Sequence, residues 1–444
     1  MKNKDYLITD NPFKALFIFF LPLMLGNVFQ QFYNLVDSAI LGRFVSEQAL
    51  AAAGACLALT NVFIFIASGG GIGAAVVIGN YFGAKNYKKM KTVITSAYLS
   101  FFILSIILGA LGFILGHKFM EWLKTPEDTI ELAVIYLRIY FLGLPFIFLY
   151  NITSSMYNAL GKSKFPLLFL IISSLTNIGL DILFVTKYSF GIKGVAYATL
   201  IAQGLACILS IIVFIIEIKK MNIGKAQIFS NIELGRITKI ALPSILQQAT
   251  ISIGLMLIQS TVNSFGSNAL AGFSAGARIE AIAGTIMVSG GTALSTFVAQ
   301  NLGAGKLHRI RQGYFCANII QIIFAFLFFI TIKIFNKEII YAFIGNDCSQ
   351  DAFNTAFSFL DYMSMVLVIM GFKHTADGVL RGLGRMTMFT VANIINIVIR
   401  VAYAKIMAPI SGISAVWVSN PIGWIVSLIL CYSSYRVARK QMNF

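Results

Sequence analysis

The sequence predicts an all-α integral membrane protein, with twelve transmembrane helices in two parallel six-helix repeats. Three observations carry that prediction. Apolar residues make up 58% of the 444 residues and charged residues only 11%, less than half of the roughly 25% that a soluble surface uses. The mean hydropathy is +0.82. Motif pairs recur at nearly constant offset between the two halves of the chain. This composition excludes a disordered chain, a disulfide-rich secreted module and an ordinary cytosolic enzyme.

A bilayer-spanning helix needs about 20 mostly apolar residues. Segments of that kind run 15–42, 49–80, 93–116, 130–158, 165–187, 192–218, 237–264, 269–300, 313–335, 354–381, 386–408 and 412–435. They are continuously apolar, whereas strands of a membrane barrel alternate. Met1 to Lys14 is polar and the apolar run after it continues past any cleavage site, so no signal peptide is expected. The five cysteines are scattered without a CxxC spacing, so neither a disulfide framework nor a structural metal site is expected.

The net charge of +17 lies mostly in short clusters between apolar runs, a pattern suited to anionic lipid rather than to nucleic acid. With the N-terminus inside, the inner segments hold 22 Lys and Arg and the outer segments 8, and Arg138, Arg278, Lys373 and Arg400 lie in or beside spans. This bias places both termini in the cytoplasm of a multi-pass cell-membrane protein.

The halves repeat in order and sense. Leu21-Pro22 opens the first span and Leu242-Pro243 the seventh. Gly83-Ala84 and Gly303-Ala304 close the second and eighth, and Leu160-Gly161-Lys162 and Leu383-Gly384-Arg385 end the fourth and tenth. The expected domains are an N-lobe at 1–220, a linker at 221–236 and a C-lobe at 237–444. Parallel repeats of this kind are a transporter architecture.

Ionisable residues at bilayer depth are costly and mark functional sites. Asp37 lies deep in span one, with Tyr33 and Asn34 four and three residues before it. Asp181 lies in span five, four residues after Asn177. These spacings put oxygen-bearing groups on one helix face, a set able to hold a proton or a small hard cation. The alternative is that they only hydrogen-bond helices together. Pro22 is a hinge or a static kink. In the second half, Asn396-x-x-x-Arg400 stands where Asn177-x-x-x-Asp181 stands in the first. Lys373 and Asp377, four apart, are placed to neutralise each other, and Glu280 or Asp377 is the expected acidic partner of Arg400. The run Ser68-Gly69-Gly70-Gly71-Ile72-Gly73 lies within a span and follows no strand, so it reads as helix packing rather than a nucleotide motif. No hydrolase or metalloprotease signature is present, and no enzyme activity is expected.

With its repeats, the segment Gln30-Gln31-Phe32-Tyr33-Asn34-Leu35-Val36-Asp37, the segment Asn177-Ile178-Gly179-Leu180-Asp181 and the run Ala376-Asp377-Gly378-Val379-Leu380-Arg381-Gly382-Leu383-Gly384, the chain resembles the multidrug and toxic compound extrusion (MATE) transporters of the MOP superfamily. The resemblance covers essentially the whole chain. It implies two six-helix lobes around a central cavity and export of organic cations and drugs against inward protons or sodium, with no cofactor beyond that coupling ion. It implies a cation site at Asp37, Asn177, Asp181 and Thr199, with Tyr33 and Asn151 at polar positions near it and Pro22 as the bend of span one; Tyr33, Asn34, Asn151 and Arg400 are the candidate cavity positions. Span seven has no acid and Asp377 lies near the cytoplasmic end, which favours a mechanism confined to the N-lobe, of the DinF type.

The expected function is therefore a monomeric secondary antiporter for amphipathic, often cationic small molecules, working in the lipid bilayer by alternating access and without nucleic acid. The rival reading is a lipid-linked oligosaccharide flippase of the same superfamily, for which Arg278, Lys373 and Arg400 would supply a cationic cavity.

Overall fold

The computed structural model describes residues 5–345 and 348–442; Lys2 and Lys4, counted above with the inner charges, lie outside them. Every regular element among the described residues is helical. In chain order these are α1 (Tyr6–Thr9), α2 (Pro12–Ile40), α3 (Glu47–Gly83), α4 (Tyr87–Trp122), α5 (Glu127–Leu142), α6 (Leu144–Ala159), α7 (Lys164–Ile182) and α8 (Gly191–Lys219). There follow α9 (Asn231–Asn263), α10 (Ser267–Gly303), α11 (Leu307–Ile344), α12 (Gln350–Gly382), α13 (Met386–Ser411) and α14 (Ser414–Gln441). Short π turns, Leu41–Val45 and Leu183–Lys187, continue α2 and α7.

Among the described residues eleven helices are long and apolar enough to cross a bilayer, and the pair α5–α6, bent by 51°, passes the same test when taken together, which makes up to twelve spans. The chain is a multi-pass membrane protein. The bend at Gly143 has a local cause: Pro145 lacks the N–H that would bond the Phe141 carbonyl. The expected linker is shorter than its polar composition implied, because α9 begins at Asn231. Ser230 and Glu233 have the spacing of a capping box, and the Ser230 hydroxyl accepts from the Glu233 backbone N–H at 3.4 Å.

The internal repeat is visible in how helices end. After α3, the Asn86 N–H reaches back to the Tyr81 carbonyl at 2.9 Å; after α10, Lys306 makes the same bond to Asn301 at 2.9 Å. After α6, Lys162 bonds Tyr157 and, after α12, Arg385 bonds Leu380, both at 2.9 Å. Each closure needs one residue in the left-handed region. Glycine supplies it at Gly161, Gly305 and Gly384, whereas Lys85 adopts it at φ +55°.

Two compact units emerge, one of residues 25–245 and one of residues 1–24 with 246–444. The division falls inside α2 and α9, two residues after Pro22 and two after Pro243. Residues 1–24 thus pack with the second repeat, and the start of α9 packs with the first.

In the unit 25–245, the glycine run of α3 serves helix packing, as expected. A side chain at Gly73 would strike Ile237 and Ala241 of α9, one at Gly70 the Phe101 ring of α4, and one at Gly71 Ser155 of α6. In the other unit, α10 and α12 approach backbone to backbone at Gly291 and Gly378. In lipid such contacts hold helices by van der Waals packing rather than by water exclusion. Polar residues near the N-terminus fold onto this unit as α1. Leu7 and Ile8 are buried, and Arg309 donates to the carbonyls of Leu7 at 3.3 Å and Asp10 at 2.6 Å.

Candidate functional site

The polar groups of the first repeat converge within the unit 25–245. Asp37 sits near the end of α2, Asn177 and Asp181 on one face of α7, and Thr199 on α8. With its amide nitrogen turned toward the acids, Asn177 donates to Asp181 Oδ2 at 3.0 Å and to the Tyr33 hydroxyl at 3.2 Å, and its oxygen accepts from the Thr199 backbone N–H and hydroxyl, both at 3.2 Å. The carboxyl groups of Asp37 and Asp181 lie within hydrogen-bonding range of each other. Tyr33 lies beside both acids and bonds Thr199. Asp37 Oδ1 and Asp181 Oδ1 are each buried without a hydrogen-bond partner among the described residues.

Orphaned buried oxygens cost free energy, and two of them on facing carboxylates form an incomplete shell. No Lys or Arg forms an ion pair with either acid among the described residues. Carboxylate and hydroxyl oxygens are hard donors suited to a proton or a small hard cation. Beside Thr199 a small void is bounded by Tyr136, Tyr140 and Gln203.

Not every candidate joins this cluster. Asn34 is exposed and accepts from Gln30 Nε2 at 3.2 Å. Asn151 donates its amide to the Ile147 carbonyl of its own helix at 2.8 Å and makes no described contact with the acids. Conversely, Tyr136 of α5 lies within electrostatic reach of Asp37 and Tyr33 and was not singled out from the sequence. One tyrosine among 17 carries no distinguishing signal there. The two π turns were also unforeseen. They begin four residues after Asp37 and two after Asp181 and lie against each other. Irregular turns of this kind recur at functional sites.

The second repeat is arranged differently. Lys373 and Asp377 form the expected pair, with Nζ 2.6 Å from Oδ2 and both side chains buried. Gln247 also donates to Oδ2 at 3.3 Å; Asn393 Nδ2 and Cys431 Sγ donate to Oδ1 at 3.3 and 3.4 Å. Arg400 Nη2 donates to Asn420 Oδ1 at 2.5 Å, and Asn420 donates to Glu280 Oε1 at 3.4 Å. The amide thus mediates the expected Arg400–Glu280 link. Arg400 Nε and Asn396 Oδ1 remain without a hydrogen-bond partner among the described residues.

These features define a helical membrane transporter with an internal six-span repeat. The sequence profile of MatE matches residues 22–183 and 243–406, and the chain belongs to the MatE family, whose members are transporters and not enzymes. It is 29% identical over 440 residues to "Probable multidrug resistance protein YpnP" of Bacillus subtilis (strain 168), covering 99% of this chain and 98% of that protein. It is 24% identical over 447 residues to "FAD transporter" of Shewanella oneidensis, covering 97% and 96%. Among solved structures, MATE in complex with MaL6 superposes with a TM-score of 0.92 at 22% identity over 100% of both chains. A multidrug resistance MATE family transporter in the outward-facing conformation superposes at 0.90 and 22% identity over 100% of this chain and 99% of that one. These structural likenesses establish the fold.

Proposed function

We propose that the protein is a multidrug efflux antiporter of the cell membrane, exporting amphipathic, often cationic small molecules in exchange for protons or sodium ions. The observation that carries this reading is the pair Asp37 and Asp181, two facing carboxyl groups, each with a buried oxygen that no other group among the described residues satisfies. Coupling requires a group that is loaded on one side of the membrane and emptied on the other, and a pair already neutralised by a fixed cation cannot serve. A hydrogen bond between two carboxyl groups exists only when one of them carries a proton, so this geometry suits a proton-loaded pair; a sodium ion would be held by Asp37 and Asp181 in place of that proton. Asn177, Thr199 and Tyr33 orient the pair. The relative named as a multidrug resistance protein, matched over nearly its whole length, supports small-molecule export.

Pro22 serves in this reading as the hinge of α2. It leaves the Ile18 carbonyl without its helical donor, at the point where the chain passes from one compact unit to the other. The protein works as a monomer with both termini in the cytoplasm, as the charge bias supports.

Everted vesicles test the reading. An imposed proton or sodium gradient is expected to drive uptake of ethidium, and Asp37→Asn to abolish it. Failure of both gradients to drive uptake by well-expressed protein would refute antiport.

A further inference from the structure

A groove of about 550 Å³ opens between α4 and α8, lined by Lys91, Ile94, Ile211, Ile215, Ile218 and Lys219 among others. Helix α6 packs against both α4 and α8. The rings of Tyr98 and Phe214 meet edge to face at 6.3 Å and close the deep end of the groove. The wall hydroxyls are already committed: Tyr98 and Thr153 share a hydrogen bond of 2.8 Å, and Thr95 donates to the Lys91 and Thr92 carbonyls at 3.1 Å. The interior therefore offers a ligand hydrocarbon and little else.

The mouth is different. Lys91 lies in the second turn of α4 and Lys219 is the last residue of α8. Glu217, the nearby acid, is held by Lys162 and by Lys220, the latter at 2.7 Å. Neither Lys91 nor Lys219 has an acidic partner among the described residues. Lys88 stands close by, its side chain approaching Gly224. From Lys219 back to Ile211 the groove follows about 12 Å of helix, close to the roughly 15 Å of hydrocarbon in one leaflet. Free cations at a membrane-surface mouth and an apolar slot of one-leaflet depth complement a phosphate joined to an acyl chain. A zwitterionic headgroup would bring an ammonium against the lysines.

We propose that this groove binds one anionic glycerophospholipid, with its phosphate between Lys91 and Lys219 and one acyl chain between α4 and α8. The inference is independent of the antiport reading.

Native mass spectrometry of the full-length detergent-purified protein, titrated with phosphatidylglycerol, phosphatidylcholine or inorganic phosphate, tests it. One tightly retained phosphatidylglycerol is expected. Lys91→Gln and Lys219→Gln should each weaken it about fivefold and together about twenty-five-fold, as follows from about 1 kcal/mol per lysine near an anionic headgroup. Ile215→Trp, which fills the slot and keeps both lysines, should also weaken it, while phosphatidylcholine and phosphate should bind alike to wild type and double variant. Thermal unfolding without lipid verifies that each variant is folded. Phosphatidylglycerol affinity unchanged in both the double variant and Ile215→Trp would overturn the proposal. So would inorganic phosphate bound as tightly as the lipid and lost with the lysines, because the apolar slot would then play no part.

Discussion

The two repeats place acids at bilayer depth in opposite electrostatic circumstances. In the first, Asp37 and Asp181 face each other with one unsatisfied oxygen apiece and no paired cation. In the second, both oxygens of Asp377 are engaged by Lys373, Gln247, Asn393 and Cys431, and Glu280 is tied through Asn420 to Arg400. A duplicated scaffold has kept its helix closures while its buried charge has diverged. The lesson is that an acid within a span is not by itself a coupling site. What matters is whether a fixed cation already completes its shell, because a carboxylate that keeps its counter-charge throughout the cycle has no reason to take up and release an ion.

The largest expected effect breaks the comparison at its active side. Asp37→Asn or Asp181→Asn should reduce dye efflux to the vector background at normal expression. The double variant should be no worse than either single one, since parts of one unit are non-additive. Efflux assays in cells, normalised to membrane abundance, measure this; independent multiplicative losses would mean two separate sites.

On the other side, Asp377→Ala should act chiefly on stability. Leaving Lys373 buried and unpaired costs about 3–5 kcal/mol, seen as a lowered melting temperature in detergent. Replacing both partners by apolar residues of similar size should recover most of that loss, because the desolvated charge is then gone. A double variant as unstable as the single one would show that the pair is not an isolated neutral unit.

Arg400→Gln should have a smaller effect. It removes a guanidinium that remains charged at working pH and so cannot carry the coupling ion, and it loosens the Asn420–Glu280 link at about 1–3 kcal/mol. The expected outcome is altered preference between a cationic and a neutral dye with unchanged dependence on proton and sodium gradients. A changed ion dependence with unchanged dye preference would reverse the roles assigned to the two repeats.

The smallest effects sharpen the boundary of the first cluster. Thr199→Val removes one hydroxyl that bonds Asn177, worth about 1 kcal/mol and about a fivefold loss of transport. Asn34→Ala, at an exposed position outside the cluster, should stay within about twofold of wild type. Concentration dependence of dye efflux in the two variants distinguishes them. An Asn34→Ala loss larger than that of Thr199→Val would extend the cluster along α2.

The sequence by itself determined the membrane class, the long apolar helices and the repeat, because these rest on local quantities: apolar run length and recurring glycine and proline positions. It also determined the pairs that lie on a single helix. Asn177 with Asp181 and Lys373 with Asp377 follow from 3.6 residues per turn. The meeting of Asp37 with Asp181, 144 residues later, was suggested by family resemblance, but spacing within a span carries no information about it. Only the tertiary structure decided that Tyr136 joins the cluster while Asn34 and Asn151 stand apart, since which face of a helix meets which neighbour depends on packing angles and local breaks. It alone decided the contact between the two π turns and the division of α2 and α9 just beyond Pro22 and Pro243. Each of these depends on contacts between segments far apart in the chain, and single-chain periodicity is blind to such contacts.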